Sequence, residues 1–280
     1  MSKYIIPNPK DPAYQLMIGN PPEIIGATKS PQILLIGLHG TEHLAARVAY
    51  HLQTERQDLL KYVNYICGNP RAAASVPQQR YTNEHKHNGE RGTDLNRSFN
   101  IAEKPKTYEE KRAAELLDRL LSYDYVFDLH TTTTSAGSSK RFSITTQLLN
   151  VPQIRTIIAA SPMERVVVIP KSGNYMTDLV PQAMAFEFNQ EYARTPKGIG
   201  EIVSTLDILV GNKKPIPKPR EIFYVERPIP QTEDPGINTP NFELCKDGYY
   251  PVLLGDNSYR KDPTKPYVGW AATKKEIIVL

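Results

Sequence analysis

Short apolar runs that alternate with helical periodicity constrain this chain more than any other feature. QILLIGL (32–38), YVNYICG (62–68) and YVFDL (125–129) have the length and composition of buried strands. Between the first two, Leu44, Val48, Leu52, Leu59 and Leu60 recur at roughly helical spacing. Glu109 to Leu121 is amphipathic, with Ala113, Leu116, Leu117, Leu120 and Leu121 set against Glu110, Lys111, Arg112, Asp118 and Arg119. RFSITTQ (141–147), RVVVIP (165–170) and AMAFEFN (183–189) predict further strands, with helices over 151–161 and from Ile199 to Val210. Strand and helix in alternation predict an α/β layer architecture with a mostly parallel sheet.

The two ends differ in texture. The first 31 residues hold six prolines and predict an irregular or edge-strand lead-in. Ten of the 24 prolines fall in residues 201–280, where short runs (EIFYVER, YYPVLL, EIIVL) are separated by Pro, Gly, Asn and Asp. The expectation is a catalytic α/β domain over 1–211 and a small β-rich domain over 212–280. With 34 Lys plus Arg against 30 Asp plus Glu, the net charge of +4 is too small for a dedicated nucleic-acid binder. The longest apolar run, ILLIGL, is too short to span a membrane, and the residues after Met1 lack the apolar segment of a signal peptide. Two cysteines, Cys67 and Cys245, cannot build a disulfide framework and suit a reducing compartment, so a cytoplasmic location is expected.

Polar residues collect where strands end, and in open α/β sheets functional groups gather at the carboxyl ends of strands. The first strand delivers His39 and Glu42, spaced H-x-x-E on a turn entering a helix; YVFDL delivers Asp128 and His130. Imidazole and carboxylate suit Zn²⁺, and two histidines with one carboxylate leave a position open, as in catalytic sites. The plainer alternative is that both histidines are merely polar residues at strand ends. His43 and His51 read as ordinary helix residues. Asp94-Leu95-Asn96-Arg97 pairs a guanidinium fork with an amide, a combination suited to carboxylates. Glu187 interrupts an apolar run; alternation puts Phe186 and Phe188 on one face and Glu187 on the other, facing either solvent or a site.

Taken in order, His39-x-x-Glu42, Arg80-Tyr81, Asp94-Leu95-Asn96-Arg97-Ser98-Phe99, Asp128-Leu129-His130-Thr131-Thr132-Thr133 and Glu187 resemble the aspartoacylase and succinylglutamate desuccinylase family. Tyr250-Pro251-Val252 followed by Asp256 and Tyr259 is similar to a C-terminal segment of the same family. The resemblance implies a zinc-carboxypeptidase-like mixed sheet flanked by helices, and one Zn²⁺ per subunit held by His39, Glu42 and His130. It implies Glu187 as general base and then acid, Arg80 as the group facing the oxyanion, and Asn96, Arg97 and Tyr259 as substrate contacts. The implied activity is zinc-dependent hydrolysis of an N-acyl-L-amino acid, such as N-acetylaspartate to acetate and aspartate. The partner is then a small anion, with neither nucleic acid nor membrane, and a homo-oligomer is compatible. A peptide-cleaving metallocarboxypeptidase and a non-catalytic small-anion binder are the alternatives.

Two departures from the family stand out. An insertion over 82–92 contains His85 and His87 and leaves Arg71 as a substitute for Arg80. The arginine that the family places about ten residues before the catalytic glutamate is missing from SGNYMTDL (172–179), where Lys171 is the nearest cation.

Overall fold

A computed structural model of the chain describes residues 8–80, 82, 93–100, 105–132, 141–147, 151–236, 238–254 and 267–279. They form one ten-stranded sheet of strands β1 (Glu23–Ile24), β2 (Ile33–Gly37), β3 (Val63–Cys67), β4 (Tyr125–Thr132), β5 (Arg141–Thr145), β6 (Arg165–Val168), β7 (Ala183–Asn189), β8 (Pro219–Pro230), β9 (Tyr250–Val252) and β10 (Tyr267–Val279). The strand order is β1-β3-β2-β4-β7-β5-β6-β8-β10-β9. β3, β2, β4 and β7 run parallel, whereas β5 lies antiparallel to β7, so the sheet is mixed.

Seven helices flank it among the described residues: α1 (Pro12–Ile18), α2 (Leu44–Glu55), α3 (Pro70–Ala73), α4 (Tyr108–Leu121), α5 (Pro152–Ala160), α6 (Met176–Leu179) and α7 (Pro196–Leu209). The period-2 alternation of the strands sorts them by face. Ile33, Leu35, Phe127, Leu129, Met184, Phe186 and Phe188 pack against α1, α2, α5 and α7. Leu34, Ile36, Val126 and Ala183 face the other way, against Ala113, Leu116 and Leu120 of α4. Each such fully buried Leu or Phe contributes about 1.5–3 kcal/mol of burial.

The lead-in meets the expectation at β1, an edge strand of the sheet, and departs from it at α1, which is a helix. Its prolines do not break it: Pro12 occupies the first turn, where a missing N–H costs nothing, and Asp11 caps the Ala13 N–H. The predicted helix from Ile199 to Val210 starts one turn earlier, because Thr195 caps Gly198 and Pro196 opens the turn.

After residue 212, β8 joins the sheet beside β6, in parallel register from Arg165↔Glu221 to Val168↔Tyr224. β10 then pairs with β8 and β9 with β10. Phe142, Val167, Phe223, Val225, Phe242, Val252 and Ala272 form a separate apolar cluster there. No helix among the described residues is long and apolar enough to cross a membrane.

Candidate active site

The same sheet face that buries Val126 and Ala183 under α4 continues past that helix with Asp128 and His130 on β4 and Glu187 on β7. In the parallel register His130 is the direct neighbour of Glu187, and Asp128 of Ala185. Alternation therefore resolves the choice for Glu187. It faces a cavity of about 280 Å³ while Phe186 and Phe188 lie in the core behind it.

The turn that follows β2 brings in His39 and Glu42, both buried. Gly40 between them is required by close approach: a Cβ there would sit 2.5 Å from the backbone of Ala72 and Ala73 and from the carbonyl of Gln79. His39 Nδ1 and His130 Nδ1 lie 2.9 Å and 2.8 Å from the same oxygen, Glu42 Oε2. The donor atoms of His39, Glu42 and His130 all fall within 4.8 Å of one another.

The other nitrogen of each imidazole faces a carboxylate. His39 Nε2 is 3.0 Å from Asp94 Oδ1, and His130 Nε2 is 2.5 Å from Asp128 Oδ2. With Nε2–H committed to a carboxylate, Nδ1 keeps the lone pair that a metal ion needs, the arrangement typical of metal-ligating histidines. Three carboxylates around two imidazoles also call for positive charge, and Asp128 Oδ1 is buried without a hydrogen-bond partner. The donor set fits a divalent ion with open positions.

The electrostatics follow. Burial pushes the Glu42 carboxyl up, but the imidazoles of His39 and His130 outweigh it and hold the group far below its ordinary range. Burial likewise opposes ionisation of Asp94, yet His39, Arg80 and Arg97 keep it well below. Burial depresses His130, and Asp128 and Glu42 overcome it, raising the imidazole well above its usual value.

Asp94 also links two parts of the site. Its Oδ1 accepts the Asn96 N–H at 2.9 Å and so caps the turn Leu95–Arg97 while it orients His39. Asn96 and Arg97 line the cavity. Asn96 Oδ1 accepts from the Met176 N–H, which leaves its NH₂ as the end for a ligand, and the Arg97 guanidinium lies 4.2 Å from the centre of the Tyr175 ring. Arg80 lines the same cavity with Nε 4.0 Å from Asp94 Oδ2. Arg71 is placed elsewhere, over the Tyr108 ring. Lys171 is exposed and borders the cavity. Asp178 Oδ2 gathers the backbone N–H groups of Ser172, Asn174 and Tyr175 and so shapes that wall. His43 sits outside the cluster, with Nε2 2.9 Å from Gln78 Oε1. Tyr259, His85 and His87 lie outside the described residues.

Sequence reasoning named Asp94 and Asp128 but gave neither a task. For Asp128 the signal was present: residues i and i+2 of a strand share a face, so a carboxylate two before His130 can reach its ring. For Asp94 there was none, because its partner is 55 residues away. Asp128→Asn is expected to weaken metal affinity about 10–100-fold while the fold is retained, as a competition titration with a chromophoric chelator would show. Unchanged affinity would separate Asp128 from the metal site.

A family model for the succinylglutamate desuccinylase/aspartoacylase catalytic domain matches residues 30–187. The succinylglutamate desuccinylase of Chromobacterium violaceum has a similar structure, with a TM-score of 0.68 at 16% identity over 91% of this chain and 88% of that one. Murine aminoacylase 3 gives 0.62 at 17% identity over 90% and 97%. The succinylglutamate desuccinylase of Vibrio parahaemolyticus gives 0.65 at 14% identity over 92% and 89%. At these identities the likeness is one of fold. No curated protein sequence matches the chain.

Proposed function

Because this chain belongs to the succinylglutamate desuccinylase/aspartoacylase family, we propose that it is a zinc-dependent amidohydrolase that cleaves an N-acyl-L-amino acid into a carboxylate and a free amino acid. The observation that carries this reading is the convergence of His39 Nδ1 and His130 Nδ1 on Glu42 Oε2, with Glu187 beside His130 in one cavity.

His39, Glu42 and His130 would hold the ion. When bound, it supplies Lewis acidity at the amide carbonyl and makes water easier to deprotonate. Glu187 takes the proton of the attacking water and delivers it to the departing nitrogen, so one carboxylate serves as base and then acid. Arg80 stabilises the negative charge that grows on the carbonyl oxygen. Arg97 and the Asn96 amide hold the α-carboxylate, a planar fork beside a neutral donor. Tyr259 is assigned to the same substrate. The cavity volume of about 280 Å³ suits a small molecule better than a polypeptide. The free thiols of Cys67 and Cys245 go with a cytoplasmic setting.

Purified protein is expected to contain one zinc per chain and to hydrolyse members of a panel of N-acyl amino acids. A chelator should abolish turnover, and added zinc should restore it. Cleavage of a blocked dipeptide alone would overturn the substrate assignment in favour of a carboxypeptidase. Metal-free protein that is fully active would overturn the mechanism.

A further inference from the structure

The cavity has two chemically opposite halves, and the boundary between them runs along β7. On one side Glu187 pairs in register with His130; on the other it pairs with Phe142 of β5. The neighbouring row reads Asp128, Ala185, Ile144, Val167, passing from a buried carboxylate to branched aliphatics across four strands. Beyond β7 the floor is made by Ile144, Val167, Ile169, Val225, Leu253 and Trp270.

None of the described cations of the cavity belongs to the floor strands. Among the described lining residues these are Arg80, Arg97 and Lys171, and all three come from loops and turns. Arg80 is drawn toward Asp94 and Arg97 lies against Tyr175. The lining residues contributed by β5, β6, β8, β9 and β10 are all apolar.

Backbone strain marks the same surface. Among the described residues, the non-glycine positions with positive φ are Leu253, at 55°, and Phe242, at 66°. The left-handed region is disfavoured for L-residues without a short polar side chain. Leu253 is on the floor itself. Phe242 belongs to the same apolar cluster, with its ring 5.1 Å from those of Phe142 and Phe223. Such outliers persist where the surrounding structure holds them, commonly at ligand sites.

We propose that the site selects an N-acyl amino acid whose acyl chain or side chain is apolar, aliphatic or aromatic, rather than acidic. This rests on the amide-hydrolase reading above and deepens it. With the amide beside Glu187 and the α-carboxylate at Asn96 and Arg97, two substituents remain, the acyl chain and the side chain, and one of them falls over the floor. Among the described residues, the floor strands offer a carboxylate no cation, whereas an apolar group there gains by burial.

Trp270 is the chain's single tryptophan and belongs to the floor, so its fluorescence reports occupancy without requiring turnover. The test is a titration of the full chain, excited beyond tyrosine absorption, with two matched pairs. N-acetyl-L-leucine against N-acetyl-L-aspartate probes the side chain, and N-hexanoyl-L-alanine against N-succinyl-L-alanine probes the acyl group. In at least one pair the apolar member is expected to saturate the signal at a concentration at least tenfold lower, and to lead in kcat/KM with the zinc-loaded enzyme. Ile169→Arg should reverse that ranking.

Acidic members that bind and turn over as well as their apolar partners would overturn the inference while leaving the hydrolase intact. So would an unchanged ranking in Ile169→Arg, or no fluorescence response to any ligand. Apolar ligands that bind tightly and are never cleaved would support it and overturn the hydrolase reading instead.

Discussion

Glu187→Gln is expected to lower kcat by about 10²–10⁴ with little change in KM, the range for loss of a positioned acid–base group. The substitution preserves shape and keeps an acceptor, but removes the basic oxygen. Phe186 and Phe188 hold β7 in the core from the opposite face, and the backbone pairing of Glu187 with His130 and Phe142 does not involve the side chain. Zinc content and thermal stability should therefore match the parent protein. That combination, rate lost with metal and fold retained, distinguishes proton transfer from metal binding. A variant that kept parental kcat would assign the proton transfers to another group.

His130→Ala should act by the other route. It removes one of three buried donors, takes the imidazole partner from the buried Asp128 carboxylate, and leaves Glu42 with His39 alone. Leaving such a charge unpaired costs about 3–5 kcal/mol, so the metal-free variant should melt well below the parent. Its zinc content should fall below stoichiometry and its turnover to background. Saturating zinc would not rescue it, whereas Asp128→Asn, which keeps all three donors, should recover with added metal. Full activity in His130→Ala would remove β4 from the catalytic assignment.

Much of this arrangement was legible in the chain because it is local. The H-x-x-E turn, the histidine ending YVFDL and the lone carboxylate in AMAFEFN each depend on a few consecutive residues and the period of a strand. The parallel register then brings His130 and Glu187 side by side, although 57 positions separate them. Less was legible where the partners are distant. The tie between Asp94 and His39 and the apolar floor built from five strands follow from strand order, which no sequence period encodes. α1 is hidden for a local reason: a proline-rich lead-in resembles irregular chain unless the Asp-Pro pair is weighed as a helix start.

The pairing of β6 with β8 has a consequence for traffic through the site. Val167 and Val225, which floor the cavity, belong to strands in one hydrogen-bonded ladder, reinforced by Arg165 and Lys274 on Glu221. The C-terminal strands therefore cannot swing away as a rigid cover without breaking that ladder. Ligand entry and product release fall instead to the loops around the cavity rim. Amide exchange should report this directly: the β6–β8 amides stay protected through turnover.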